Sequence, residues 1–209
     1  MKRIIILLIG IIGYSTINGQ QVRDLKYFHT DNIDYYPNNL FYTRKYYKDI
    51  NNYFTPFLGQ WKSTTGNQTL IITLWKETKK PTFWGNENPI FYCDEIFGHY
   101  QIYQDYGLLT QSELYSSQIN IGNTTQTWDT IILADAITPN VLSGVIHDVN
   151  ATPLNPIKYP QGVSGLFSLI INSSTSPLTA QWHIGRTGFT RSDQPKNFII
   201  PKNVTLTKM

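Results

Sequence analysis

The chain predicts an all-β fold, a small antiparallel barrel of about eight or nine strands preceded by an irregular, aromatic-rich arm. Two observations carry that reading. Gly59-Gln60-Trp61 opens a succession of short alternating stretches, and these recur at barrel spacing to the C-terminus, with turn residues between them. In addition, no stretch shows the sustained 3.6-residue period of a long amphipathic helix.

The first 19 residues read as a secretory leader. Lys2 and Arg3 form a charged start, residues 4–12 an apolar core broken only by Gly10, and residues 14–20 a small, polar exit with the cut expected between Gly19 and Gln20. The apolar core is too short to span a bilayer, and no later stretch approaches the ~20 apolar residues a spanning helix needs. Residues 20–56 form the arm, with Tyr27, Phe28, Tyr35, Tyr36, Phe41, Tyr42, Tyr46, Tyr47, Tyr53 and Phe54 set among Asn, Asp and Lys. So many rings are unlike a disordered tail. The expectation is an arm that packs them on the barrel, with one helical turn near residues 46–52.

The barrel domain is expected over residues 57–209. Strands at 60–64 and 68–76 flank a Thr65-Gly66-Asn67 turn; Leu70, Ile72 and Leu74 share one face. Residues 79–86 read as a connection. Ile96, Gly98, Tyr100 and Ile102 share a face of the next strand, over 96–103. Weaker strands are expected over 111–121 and 128–133 and a clearer one over 141–148. Three prolines then mark residues 150–161 as a loop. A hairpin over 165–172 and 178–184 and strands at 198–200 and 203–207, interrupted by Pro201, complete the barrel.

Phe57-Leu58-Gly59-Gln60-Trp61-Lys62, the Gly66-Asn67 turn and the strand 69–74 resemble the opening hairpin of lipocalin-like (calycin-type) domains. More narrowly, the chain resembles a Bacteroidetes-type family of secreted bacterial proteins of unknown function. In that family a leader and arm precede an F-x-G-x-W hairpin, and the chain ends in a Pro-x-Asn-x-x-Leu-Thr-Lys strand, here residues 201–208. Trp182, following Gly165, Leu166 and Ile170, fits the penultimate hairpin. The resemblance implies a binding barrel, no established catalytic residues, and an arginine from a late strand over Trp61, a place open to Arg186 or Arg191. Independently, Gly59 is expected to clear space where the strand bends, and Trp61 to plug the barrel's closed end.

Composition narrows the function classes. The net charge of +3 falls almost to neutral without the leader, which removes two of 17 basic residues and leaves 15 against 14 acidic ones. No clustered basic surface for nucleic acid follows from that. Cys93 is the only cysteine, which rules out an intramolecular disulfide, and Asp94 and Glu95 beside it disfavour a reactive thiolate. The four histidines are scattered. Strand parity puts Glu95 and His99 on one face and Asp94 on the other, and the group reads as an exposed polar strand face in preference to a metal site. No catalytic constellation, metal motif or cofactor fingerprint is found.

The function expected is therefore non-enzymatic: an exported, secreted or periplasmic barrel holding a small apolar or amphipathic ligand. Its inward candidates are Leu70, Ile72, Leu74, Tyr100, Ile102, Val204 and Leu206, with Gly59, Trp61 and Trp182 as structural residues. The alternative is a surface module in which loops and the arm, with Trp75 and Trp84, meet a protein or glycan.

Overall fold

The computed structural model describes residues 20–28, 45–83, 89–117, 131–151, 162–186 and 198–209. Among these residues, eleven strands run in chain order. Two lie in the arm: β1 (Gln21–Asp24) and β2 (Lys45–Lys48). Then follow β3 (Gly59–Thr65), β4 (Gln68–Phe83), β5 (Pro89–Gln104), β6 (Ser112–Ser116), β7 (Ile132–Thr138), β8 (Val141–Asp148), β9 (Val163–Asn172), β10 (Thr179–Arg186) and β11 (Asn203–Lys208).

Eight of them close an antiparallel barrel in the order β3-β4-β5-β7-β8-β9-β10-β11, with β11 returning to β3 and β7 sealing against β5. Each barrel strand pairs with its nearest barrel neighbour in sequence, so the fold is an up-and-down meander, and the lipocalin-like barrel expected from the sequence is present. Alternation supplies the core. Along β9, Val163, Gly165, Phe167, Leu169 and Ile171 are buried, whereas Leu166 and Ile170 are exposed.

The long strands β4 and β5 outrun the barrel. The connection expected at 79–86 is instead strand as far as Phe83, because the β4–β5 register shifts between Glu77 and Lys80 and pairing then resumes at Lys80 and Cys93. Lys79 takes up that bulge with φ 54°. Pro81 is tolerated because β3 pairs β4 only as far as Leu74, leaving the later part of β4 as an edge. On the other edge of β5, three strands divide its length: β2 beside Tyr92 and Cys93, β7 beside residues 96–98, and β6 beside residues 101–104.

The arm is thus built into the sheet. The turn expected near residues 46–52 is strand β2 at its start, because parallel pairing to β5 satisfies its backbone. Phe28, Tyr47 and Phe91 meet with ring centroids 5.2–5.7 Å apart. Residues 35, 36, 41 and 42 lie outside the described residues.

Other boundaries moved for local reasons. The β3–β4 loop is two residues, Gly66 and Asn67, since Thr65 pairs Gln68. β7 runs past the expected 128–133 into Ala134, Asp135 and Ala136, whose small or charged side chains hide a strand from propensity. Residues 198–200 are not a strand, because the amides of Ile199 and Ile200 bond to a carboxylate instead of a neighbouring strand.

Candidate functional site

The inner surface of the barrel gathers most of the residues the sequence singled out. Register sets Leu70 opposite Ile102, Ile72 opposite Tyr100, Leu206 opposite Ala180 and Val204 opposite Trp182. Leu70, Ile72, Leu74, Tyr100, Ile102 and Leu206 are buried in one apolar cluster, and Val204 is half-buried against it. Sequence reasoning missed further members, among them Phe167, whose ring lies 4.8 Å from that of Trp182. Parity along β8 and β9 held the signal for Leu142, Ile146, Phe167 and Leu169, but only once those strands had been assigned a face.

One end of this interior is closed by residues 49–58. Phe54 and Phe57 are fully buried, and the indole N–H of Trp61 donates to the Phe57 carbonyl at 2.8 Å. Trp61 is itself fully buried at this end. Lys208 lies over its ring, with Nζ 5.6 Å from the ring centroid. Arg191 and the side chain of Arg186 lie outside the described residues.

Gly59 has a different role from the one expected. A Cβ there would meet nothing within 4 Å, so glycine is required by its φ of 103° and not by crowding.

Three ionised groups tie this closure to the long ribbon. Lys76 Nζ lies 3.2 Å from an Asp49 oxygen and 3.1 Å from an Asp94 oxygen. Asp94 also accepts from the Tyr46 hydroxyl (2.6 Å) and from the backbone N–H groups of Asp49 and Lys79, both at 3.1 Å. Asp49 in turn accepts from the N–H groups of Tyr53 and Phe54. Burial pushes the Asp94 carboxyl upward, but the donors from Tyr46, Lys79, Asp49 and Lys76 outweigh it and hold the group below its ordinary range. The same burial, with Asp94 beside it, raises the Tyr46 hydroxyl well above its ordinary value.

The polar strand face expected to be exposed near Asp94, Glu95 and His99 is instead half-buried at Glu95 and His99, and Asp94, expected opposite them, lies inside. Asp94 is fully buried, because the arm brings it the Tyr46 hydroxyl and the Asp49 N–H while β4 brings the Lys79 N–H and the Lys76 ammonium. His99 is half-buried with its ring 5.6 Å from that of Trp75. Trp75 is likewise half-buried and donates to Glu77, while Trp84 lies outside the described residues. Cys93 is buried, and that burial pushes its thiol far above the reactive range, with Asp135, Glu95 and Asp94 adding to the effect.

The opposite end carries a second buried carboxylate. Asp148 accepts from the Tyr100 hydroxyl (3.0 Å), from the Asn150 N–H (3.3 Å) and from the N–H groups of Ile199 and Ile200. Asn150 also donates from its side chain to the Tyr100 oxygen at 3.2 Å. Burial raises the Tyr100 hydroxyl far above its ordinary value, so it remains a donor. Phe198 packs against Gly165, where a Cβ would collide with its ring, and Trp182 donates to the Pro201 carbonyl at 3.1 Å. Asp148 ends its strand as the sequence predicts, and its side chain follows Leu142 and Ile146 inward.

Among the described residues, no group of three or more His, Cys, Asp or Glu side chains is placed to hold a metal ion, and no helix is long and apolar enough to cross a membrane. The fold and its interior define an all-β barrel with an integrated N-terminal arm. The model of DUF6705, a family of unknown function, matches residues 1–209, and the chain belongs to that family. No curated protein and no solved structure matches it.

Proposed function

We propose that this chain is an exported, non-enzymatic binding protein of the lipocalin-like, Bacteroidetes-type kind, whose barrel accommodates a small apolar or amphipathic ligand. The observation that carries the reading is the convergence of Leu70, Ile72, Leu74, Ile102 and Leu206 on one interior face, with the Tyr100 hydroxyl, Asp148 and Asn150 as a polar group at one end. An apolar enclosure with a few fixed polar groups suits a ligand that has an apolar body and one hydrogen-bonding end. Export rests on the charged, apolar and polar zones of residues 1–19 and the expected cut after Gly19.

Native mass spectrometry of the protein recovered from its own source, compared with the same sample denatured, tests both parts. An N-terminus at Gln20 and an extra non-covalent mass that vanishes on unfolding are the expected results. A native mass equal to that of the bare chain would count against the carrier reading.

A surface module is the second reading, in which the barrel contacts a protein or glycan. It is favoured by one cross-strand row on the outer face, where Leu133 pairs Val145 and Val145 pairs Leu166. Leu133 and Leu166 are exposed in that row, as are Val141 and Ile170 two rungs away. Among the described residues of the arm, Tyr47 and Phe54 are spent on internal packing, whereas Tyr27 is exposed.

A further inference from the structure

The hairpin joining β5 to β6 ends in two consecutive leucines, Leu108 at 65% exposure and Leu109 at 108%. They stand on a tightly bonded turn. The Asp105 N–H donates to the Asn67 carbonyl of the neighbouring β3–β4 hairpin (2.8 Å), the Leu108 N–H to the Asp105 carbonyl (3.0 Å) and the Gln111 N–H to the Leu108 carbonyl (3.1 Å). The Gly107 N–H donates to the Gln111 side chain at 2.7 Å. The leucines are therefore presented on a convex tip by a closed hydrogen-bond pattern, and the barrel core does not use them.

The surroundings of the tip indicate what it meets. Tyr106 packs near Tyr103, with ring centroids 5.4 Å apart, and Lys62 lies over Tyr106 at 6.0 Å. Tyr115 and Leu114 of β6 are also exposed. Asp105, whose backbone anchors the turn, is the one charged residue of the two loops; apart from Tyr106 and the two leucines, residues 66–67 and 106–111 are Gly, Asn, Thr and Gln.

An apolar apex above amphipathic tyrosines is suited to the boundary between water and acyl chains, where such rings concentrate. The long stem of Lys62 lets its ammonium remain among headgroups. A protein hot spot is usually centred on Trp, Tyr or Arg in a desolvated pocket, with leucine under-represented, whereas here leucine forms the apex. Recruitment to an anionic surface would use a cluster of Lys and Arg, which both loops lack.

We propose that the β5–β6 tip is a membrane-docking element that inserts Leu108 and Leu109 into the surface of a bilayer of zwitterionic lipid. The inference does not depend on whether the interior carries a ligand.

Flotation with phosphatidylcholine vesicles tests it, using protein recovered after export with its N-terminus fixed by intact mass. The wild type is expected to float. The double variant Leu108→Asn/Leu109→Asn should bind about tenfold less or worse, since two apolar side chains lose their burial. Val22→Asn/Ile50→Asn, at exposed positions of the arm, should float like the wild type. Both variants should keep the wild-type urea midpoint. A Leu109→Trp variant gives a direct readout, because its fluorescence should be quenched by lipid brominated along the acyl chain. Failure of the wild type to float, or equal flotation of the Leu108→Asn/Leu109→Asn protein, would overturn the proposal. So would a leucine-dependent dimer in sedimentation without lipid and no flotation, which would make the tip a protein contact.

Discussion

Lys208 stands directly across from Trp61 in the β11–β3 pairing, with its ammonium 5.6 Å from the indole centroid and donating to the Pro56 carbonyl at 2.7 Å. One side chain thereby joins the last strand of the barrel, its first strand and the 3-10 turn Thr55–Phe57 that closes the end. Burial lowers the Lys208 pKa somewhat, the mark of a cation partly withdrawn from water.

Replacing Lys208 separates the two contacts. Lys208→Met keeps the stem over the ring but loses the hydrogen bond and the cation–π attraction, and should destabilise the fold by about 1–2 kcal/mol in urea titration. Lys208→Arg restores a planar cation over the indole and should recover most of that loss. If Met and Arg behave alike, packing of the stem alone accounts for the contact.

At the other end of the barrel, the donors that Asp148 collects among the described residues are all neutral, and its removal leaves several of them buried. Asp148→Ala should cost about 3 kcal/mol or more, since Tyr100, Asn150, Ile199 and Ile200 all lose an acceptor. Tyr100→Phe removes one donor and should cost about 1 kcal/mol. In the Asp148→Ala background the Tyr100→Phe loss should shrink or reverse, because the orphaned hydroxyl is gone; a double-mutant cycle by urea denaturation reads that coupling. Additive losses would mean that the two groups do not interact in solution.

The alternation of Leu70, Ile72 and Leu74 and of Ile96, Tyr100 and Ile102 made the barrel legible, because a strand with one face in the core writes its parity into the sequence. The β4–β5 bulge was hidden. Glu-Thr-Lys-Lys-Pro over residues 77–81 looks like a loop unless the distant Asp94 is known to accept from the Lys79 amide. The arm was hidden for the same reason, since β2 owes its extended form to parallel pairing with β5 and not to any period of its own. The carboxylates were read least well. Asp94 and Asp148 are buried because residues far away in sequence bring donors to them, and local composition records only that they are charged.

Two glycines make opposite demands. At Gly59 space is free but φ is 103°, so Gly59→Ala should cost about 1–2 kcal/mol through backbone strain alone. At Gly165 φ is not in the left-handed region, but a Cβ would meet the Phe198 ring and, at 2.6 Å, the Gly185 carbonyl. Gly165→Ala should cost about 1–3 kcal/mol by displacing residues 198–200. The test is local as well as global. Hydrogen exchange at the Ile199 and Ile200 amides should quicken in Gly165→Ala and stay unchanged, relative to global stability, in Gly59→Ala.

Glu95 and Asp94 give stability opposite dependences on pH. Burial pushes Glu95 up to about 7 from an ordinary 4.5, with Asp135 adding to the rise and Lys80 opposing it. The folded protein thus holds the Glu95 proton more tightly than the unfolded chain does. Its contribution is fully present below about 4.5 and is lost as pH rises through about 7. Asp94 is held below its ordinary 3.8, so its contribution is present above that value and is lost as pH falls through the folded one. Urea midpoints measured from pH 3 to 9 should therefore peak on the mildly acidic side. Glu95→Gln should flatten the decline toward pH 8 and raise stability there by about 1–3 kcal/mol after solvent screening. Asp94→Asn should instead remove the acid limb and weaken the fold at neutral pH, where Lys76 loses one of its two carboxylates. A Glu95→Gln protein with the wild-type slope between pH 5 and 8 would place the titrating group elsewhere.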